Sequence, residues 1–452
     1  MKIITRRNFI WNSGRGLVGA AVGTAALTAL NRGLAAGANE RVRIALIGCG
    51  GRGKIVVRNL IDAGAELVCL CDLHPERLES TAAELAAVMP RKPKMVQEVR
   101  KVWDDGEIDA VVIATPDHWH GPLAIEACRA GKDVYVEKPH AHNIWESRKM
   151  IEAARKYDRI VQAGTQNRSA PYNRLALDYV KSGKLGRIAL IKVFNLEPGK
   201  AFLLGAPGGK HPEFDWDHWV GPAPVHPWHQ GLFKGGWHRF WDFSGGDMVD
   251  DGIHQMDLAL MLMGDQDRPK AISACGGKLA YPNSDGETPD VQVVTYEFDK
   301  FVLTFEMTNY PRYMQKESDE IRRNDLLPYW TMNSTRIEIY GSELMMTVGR
   351  HGGGWIVAQS GGRIVEKQYG RPGDAPHTQN FIDCAKSRKK PNADIEIAHT
   401  ACSVMHLGNI AYRVADQKLR YDWAKERFVG SPEADKLLKR QYREKYAVPE
   451  QV

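Results

Sequence analysis

Four clusters of residues in this sequence have the types and spacing to do chemistry. The first is Gly48-Cys49-Gly50-Gly51-Arg52-Gly53. Such glycines let a backbone turn tightly and approach a pyrophosphate, which the free N–H groups of a following helix can bind. Asp72 stands 19 residues beyond Gly53, where a carboxylate binds the ribose diol of NAD and repels the 2′-phosphate of NADP. Arg77 keeps NADP as the lesser alternative. An ordinary strand–helix turn can share this spacing. The strand, the helix and Asp72 in register point instead to a dinucleotide site built on Gly48, Gly50, Gly51, Arg52, Gly53 and Asp72.

The second cluster is Ala114-Thr115-Pro116-Asp117-His118-Trp119-His120, and the third is Glu137-Lys138-Pro139. Each follows a short apolar run that reads as a buried strand, and ligands of open parallel sheets gather at such strand ends. Thr115, Pro116, Trp119 and His120 are therefore expected at the cofactor. A Lys at that edge can hold the oxygen of a carbon that gains or loses hydride; a solvated Lys before a Pro-bounded loop fits the tripeptide as well.

The fourth runs from Gly245 to Asp257 and on through residues 258–263. Val249, Ile253, Met256, Leu260 and Met263 recur at helical spacing, with Gly264 as a C-cap. On that single helix Asp250, His254 and Asp257 fall at i, i+4 and i+7 along one polar stripe. A His between two carboxylates is fixed in tautomer and raised in basicity, as a general base requires. A structural His is the alternative.

These clusters need elements to hold them. Apolar runs at 42–47, 67–71, 110–114, 133–136 and 160–163 alternate with helical segments at 76–88, 121–130 and 145–156. That pattern is a doubly wound parallel sheet. After Asn167 comes a helix at 172–182, then period-two runs at 188–196, 271–279, 291–298, 301–308, 335–340 and 344–348. These predict a larger, mostly antiparallel open sheet. Helices follow at 378–387 and 399–416. The fold class is α/β: a Rossmann domain over 39–164, a substrate and oligomerisation domain over 165–430, and a C-terminal helix and tail over 431–452.

Residues 1–38 form a separate leader. Thr5-Arg6-Arg7-Asn8-Phe9-Ile10 resembles a twin-arginine export signal, followed by an apolar stretch at 16–30 and the small-x-small site Ala36-Gly37-Ala38. Fifteen weakly apolar residues fall short of the roughly 20 that span a bilayer. The expectation is folded export to the periplasm with cleavage, and no stable membrane insertion. Of the 61 Lys and Arg, five (Lys2, Arg6, Arg7, Arg15, Arg32) lie in the leader, leaving 56 against 55 acidic residues. The basic balance belongs to the leader, so a nucleic-acid partner loses its main support. Seven cysteines without CxxC spacing read as buried free thiols, and no metal site is expected.

The glycine turn, ATPDHWH, EKP and DxGxHxxD, in that order, resemble the Gfo/Idh/MocA oxidoreductases, the group around glucose-fructose oxidoreductase and inositol dehydrogenase. Gly164–Ser169, Trp216–Pro222 and His377–Phe381 resemble exported bacterial branches of it. The resemblance covers about residues 41–423. It implies that Lys138, Asp250 and His254 form the catalytic group, with Glu137 and Gln166 beside the nicotinamide. It places Arg168, Trp237 and Arg239 with Asp250 and His254 around a sugar-like substrate, and implies a homodimer or homotetramer. Glucose-fructose oxidoreductase carries Tyr where His254 stands, so the reaction leans toward the inositol-dehydrogenase type: hydride transfer between tightly held NAD and a carbinol carbon. Redox-neutral glycoside cleavage through a transient keto-sugar is the alternative. A silent sugar-binding relative would have lost Lys138 or His254. Five Trp and five His crowd residues 210–241 and can serve substrate contact or packing.

Overall fold

The computed structural model describes residues 41–89, 91–206, 208, 213–414 and 417–452. The leader, its export signal and His211 lie outside the described residues.

Six parallel strands form the first sheet: β1 (Arg43–Ile47), β2 (Glu66–Cys71), β3 (Lys94–Val96), β4 (Ala110–Ile113), β5 (Asp133–Val136) and β6 (Val161–Ala163). Their order is β3-β2-β1-β4-β5-β6, the doubly wound arrangement. Strands β1, β4 and β5 are almost wholly buried, which is why they read as unbroken apolar runs. Strand β3 has no apolar run to announce it. It is three half-exposed residues at the sheet edge.

Register decides where the chemistry emerges. Ile47 pairs with Cys71 and Ile113, and Ile113 with Val136. The residues that follow, Gly48, Asp72, Ala114 and Glu137, therefore leave the sheet side by side along its C-terminal edge. Helix Gly51–Asp62 starts directly from the glycine turn.

The second sheet has ten strands. The first five are β7 (Ile188–Leu196), β8 (Ala271–Gly277), β9 (Val291–Glu297), β10 (Val302–Thr308) and β11 (Arg336–Gly341). The rest are β12 (Met345–Gly349), β13 (Trp355–Ala358), β14 (Ile364–Gln368), β15 (Leu419–Asp422) and β16 (Arg427–Phe428). The order is β14-β13-β12-β11-β7-β10-β9-β8-β15-β16. Every neighbouring pair is antiparallel except β7 with β10. On one face Ile191, Val193, Val294, Leu303, Phe305 and Ile337 are fully buried beneath helices Ile253–Leu262 and Ile395–Val414. The same apolar core continues into the parallel sheet. The opposite face carries Lys192, Thr304, Glu306 and Glu338 at the alternate positions.

Three expectations are corrected. Strands β13 to β16 lie where none was expected. The expected C-terminal helix is one short turn, Pro432–Asp435, and a 3₁₀ turn, Glu444–Tyr446. The tail is tied down by side chains instead: Arg440 pairs with buried Glu146 at 2.7 Å, and Arg443 with Asp217. Six cysteines are buried and Cys275 is exposed; none is in a disulfide. Among the described residues no helix is long and apolar enough to cross a membrane.

One partly buried cluster ties the long helix down. Glu426 accepts from Arg148 Nε at 3.0 Å and lies 2.8 Å from His399 Nε2. Burial opposes its charge, but His399 and Arg148 win and hold it at about 2, below the usual 4.5. The stabilisation this carboxylate gives is fully present above pH 4.5 and is lost as pH falls toward 2. Glu426→Gln is expected to cost about 2–3 kcal/mol at neutral pH and to flatten the acid limb of a thermal-stability profile.

Candidate active site

The glycine turn is built for a diphosphate. Gly48 has φ +91°, and a Cβ there would stand 2.6 Å from the Ala114 carbonyl oxygen. At Gly53 a Cβ would meet the Gly48 carbonyl at 2.4 Å, so helix and strand close-pack only around glycine. Around Gly50 and Gly51 a Cβ would meet nothing within 4 Å, which leaves open space above the helix N-terminus. The first turn of that helix has no acidic residue to compete for its N–H groups. Asp72 is fixed by accepting from the backbone N–H of Cys49 and of His74, each at 2.8 Å. These residues suit NAD: an open diphosphate cradle with an oriented carboxylate for the ribose diol.

A cleft of about 340 Å³ runs from this cradle toward the second domain. Thr115, Pro116, Trp119 and His120 line it. His120 Nδ1 lies 2.6 Å from the Pro139 carbonyl and Nε2 2.8 Å from that of Thr115, so the ring joins two of the sheet-edge loops. Burial pushes its pKa down. Glu137 is 3 % exposed, bound by Arg52 Nε at 2.8 Å and by Gln166 Nε2 at 3.3 Å. Arg52 and Glu137 both reach the cleft wall; Gln166 holds Glu137 from behind.

At the inner end lies the reactive pair. Lys138 Nζ donates to Asp250 Oδ1 and to the Asp250 carbonyl, each at 2.8 Å. Burial disfavours this ammonium, but Asp250 and Asp251 more than compensate, and its pKa is raised. Burial likewise opposes the Asp250 carboxylate, and Lys138 keeps it ionised. His254 opens helix Ile253–Leu262 and is 8 % exposed. Burial, then the charges of Arg350 and Lys138, press its pKa well below 6.5, so the ring is neutral near pH 7.

The single helix expected from 249 to 263 is broken into Gly246–Asp250 and Ile253–Leu262. Asp251 and Gly252 occupy the break, where a Gly252 Cβ would stand 2.3 Å from the Met248 carbonyl. Arg350 clamps Asp251 with two contacts of 2.9 Å. Asp250 and His254 thus sit on two helix ends, and the third member of the stripe is lost. Asp257 is fully buried and bound by Arg168 Nε at 2.8 and 2.9 Å. Asp265 takes the rest of that guanidinium. Arg168 is therefore an interior clamp, correcting its expected place at the substrate. Arg239, also expected at the substrate, is held by Asp247 and stays partly exposed. Trp237 does line the cleft.

Most of the Trp- and His-rich stretch is packing. Trp216 and Trp219 stack at 4.5 Å with Trp228 edge-on, inside a satellite core with Phe214 and Phe243. Of its described Trp and His residues, His218, Trp219, Trp237 and His238 reach the cleft, together with Phe233. Two residues there, His238 and Asp117, were not singled out by the sequence beyond their place in the Trp- and His-rich stretch and in the second cluster. Asp117 is 2 % exposed and accepts from Ser244 Oγ at 2.6 Å; burial and nearby Asp250 raise its pKa well above the usual range. Its place two residues beyond Thr115, at the end of β4, was the available signal.

Two profiles of one family match the chain. That of the Gfo/Idh/MocA oxidoreductases with NAD-binding Rossmann fold covers residues 42–165, and that of their C-terminal α/β domain covers 206–283 and 363–448. A scyllo-inositol 2-dehydrogenase (NAD(+)) of Bacillus subtilis is 27 % identical over 78 % of this chain and 88 % of its own length. A glycosyl hydrolase family 109 protein of Shewanella baltica is 28 % identical over 42 % of this chain, which spans 45 % of that protein. Among solved structures, the WlbA dehydrogenase from Bordetella pertussis in complex with NADH and UDP-GlcNAcA superposes with TM-score 0.62 at 21 % identity. That match covers 84 % of this chain and 99 % of the other, and shows the shared fold.

Proposed function

Since the chain belongs to the Gfo/Idh/MocA family of NAD-binding oxidoreductases, we propose that it moves a hydride between NAD and a carbinol carbon of a sugar or polyol. The observation that carries this is the Lys138–Asp250 pair, at the inner end of a cleft whose outer end is the glycine turn and Asp72. Bound NAD supplies the hydride acceptor, C4 of its nicotinamide. The rest is done by this chain. The Lys138 ammonium, fixed by Asp250, donates to the carbinol oxygen and stabilises the developing alkoxide. His254, kept neutral by its surroundings, accepts the hydroxyl proton as the C–H electron pair leaves. Trp237 presents an aromatic face suited to the C–H face of a sugar ring. The similarity to an enzyme named for scyllo-inositol supports the substrate class.

The resemblance to family 109 glycosyl hydrolases favours a second reading. Oxidation at one carbon acidifies its neighbour, the neighbouring proton and the glycosidic oxygen leave, water adds, and the hydride returns. Product analysis separates the two. Myo-inositol, scyllo-inositol, glucose and 4-nitrophenyl glycosides are offered with NAD; ketone and NADH support the first reading, and released nitrophenol without net NADH supports the second. Silence on the whole panel contradicts both.

The leader supports export to the periplasm in the folded state. Because no nicotinamide pool is expected there, NAD(H) is held tightly and reoxidised in place. Mature protein isolated from the periplasm is expected to carry about one NAD(H) per chain through extended dialysis. Cofactor-free protein needing millimolar added NAD overturns this. The open face of the ten-stranded sheet is the proposed homodimer or homotetramer surface, which light scattering tests.

A further inference from the structure

His238 has no part in the mechanism above. Its ring stacks on Trp237 with centroids 3.5 Å apart, and its Nδ1 stands 3.4 Å from Asp250 Oδ2. The other oxygen of that carboxylate, Oδ1, accepts from Lys138 Nζ at 2.8 Å. Asp250 therefore lies between an ammonium that it binds and an imidazole whose Nδ1 faces it without a hydrogen bond; that imidazole lines the cleft and is 34 % exposed in its side chain. His254, assigned above to take the hydroxyl proton, is nearly enclosed and meets little solvent itself.

The proton balance of the reaction makes this arrangement matter. Each carbinol oxidised breaks one O–H and one C–H bond and forms C=O; the hydride goes to NAD and one proton is left over. A site that already holds the Lys138 ammonium cannot keep that proton beside it without strong repulsion. Lys138, Asp250 and His238 line the cleft together, with Asp250 between the ammonium and the imidazole.

We propose that His238 is the group through which this site exchanges the substrate's proton with solvent: the proton that His254 takes up passes by way of Asp250 to His238 during oxidation and returns along the same groups during reduction. The inference rests on the hydride-transfer reading. Besides Asp250, the groups that face His238 are Lys138, Asp247 and Arg239, with the Asp117 carboxyl within 4.8 Å. Burial lowers the pKa of His238 and Asp250 opposes that fall, so the ring is neutral and able to accept at neutral pH. Acting through Asp250, it is a relay and positioning residue.

The test compares wild type, His238→Ala and Lys138→Met on the polyol and glycoside panel, in dilute buffer, across pH. His238→Ala is expected to lose about 10²-fold in kcat with KM little changed, to alter the acid limb, and to recover when free imidazole is added. A separate readout needs no turnover: the His238 ring protons, followed by NMR, titrate at lower pH once Asp250→Asn removes the neighbouring charge. Wild-type turnover in His238→Ala, a loss that imidazole does not relieve, or a titration indifferent to Asp250 overturns the relay. A wild type silent on every compound, or a Lys138→Met enzyme as active as wild type, overturns instead the reading beneath it.

Discussion

Replacing Lys138 with Met lowers turnover by about 10²–10⁴-fold and leaves the fold and nucleotide binding in place. Met keeps the length and apolar stem of Lys but not the ammonium. The loop itself is held by other contacts: the Lys138 backbone N–H donates to Glu137 Oε2 at 3.2 Å, and His120 contacts the Pro139 carbonyl. Asp250 is left without its ion pair, so its carboxylate becomes harder to ionise. Substrate oxygen then meets no cation as charge develops on it. His254→Gln is expected to fall on the same scale, with a difference in pH dependence. The His254 pKa lies well below 6.5, so neutral base is depleted only as pH drops through that lower value; the variant lacks this contribution and its acid limb flattens. Steady-state rates against pH check both. Wild-type turnover in either variant contradicts the assignment.

Asp72→Ala weakens NAD by about 10–100-fold, the scale of hydrogen bonds to a charged group, and narrows the gap to NADP. The carboxylate is fixed by the N–H groups of Cys49 and His74, one on each oxygen, and it lines the cleft. Removing it also removes the repulsion of a 2′-phosphate. Arg77 lines the same end of the cleft, with its guanidinium 4.5 Å from the Phe233 ring centroid. Asp72→Asn separates charge from geometry, keeping one acceptor for the turn while losing the charge. Titration of each protein with NAD and NADP measures this. Tighter binding of NADP than of NAD by the unaltered chain contradicts it.

The cofactor half of the site was legible because its signals are local. A glycine turn after β1, a carboxylate after β2 and Lys138 after β5 are each fixed by a few neighbours in sequence, and parallel register aligns them. The substrate half depends on pairings far apart in the chain. Arg168 and Asp257 looked like site residues because both are charged and near the right motifs. They satisfy each other inside the protein, as buried charges must. The break at Asp251–Gly252 was hidden by apolar spacing that suits one helix, and it depends on an Arg350 clamp 99 residues away. His238 was lost among aromatic neighbours that mostly pack. The short strands β13 to β16 carry weak alternation and take their place from partner strands rather than from their own sequence.

The central claim is that hydride passes directly from a carbinol carbon to NAD in the cleft whose inner end holds Lys138 and Asp250. It is tested by single-turnover reaction of the NAD-loaded protein with scyllo-inositol fully deuterated on carbon, followed by mass analysis of the nucleotide. One deuterium on the reduced nicotinamide in ordinary water is the predicted result, with none in the Lys138→Met protein. Reduced nucleotide carrying only solvent hydrogen, or label transferred equally well without Lys138, contradicts the account.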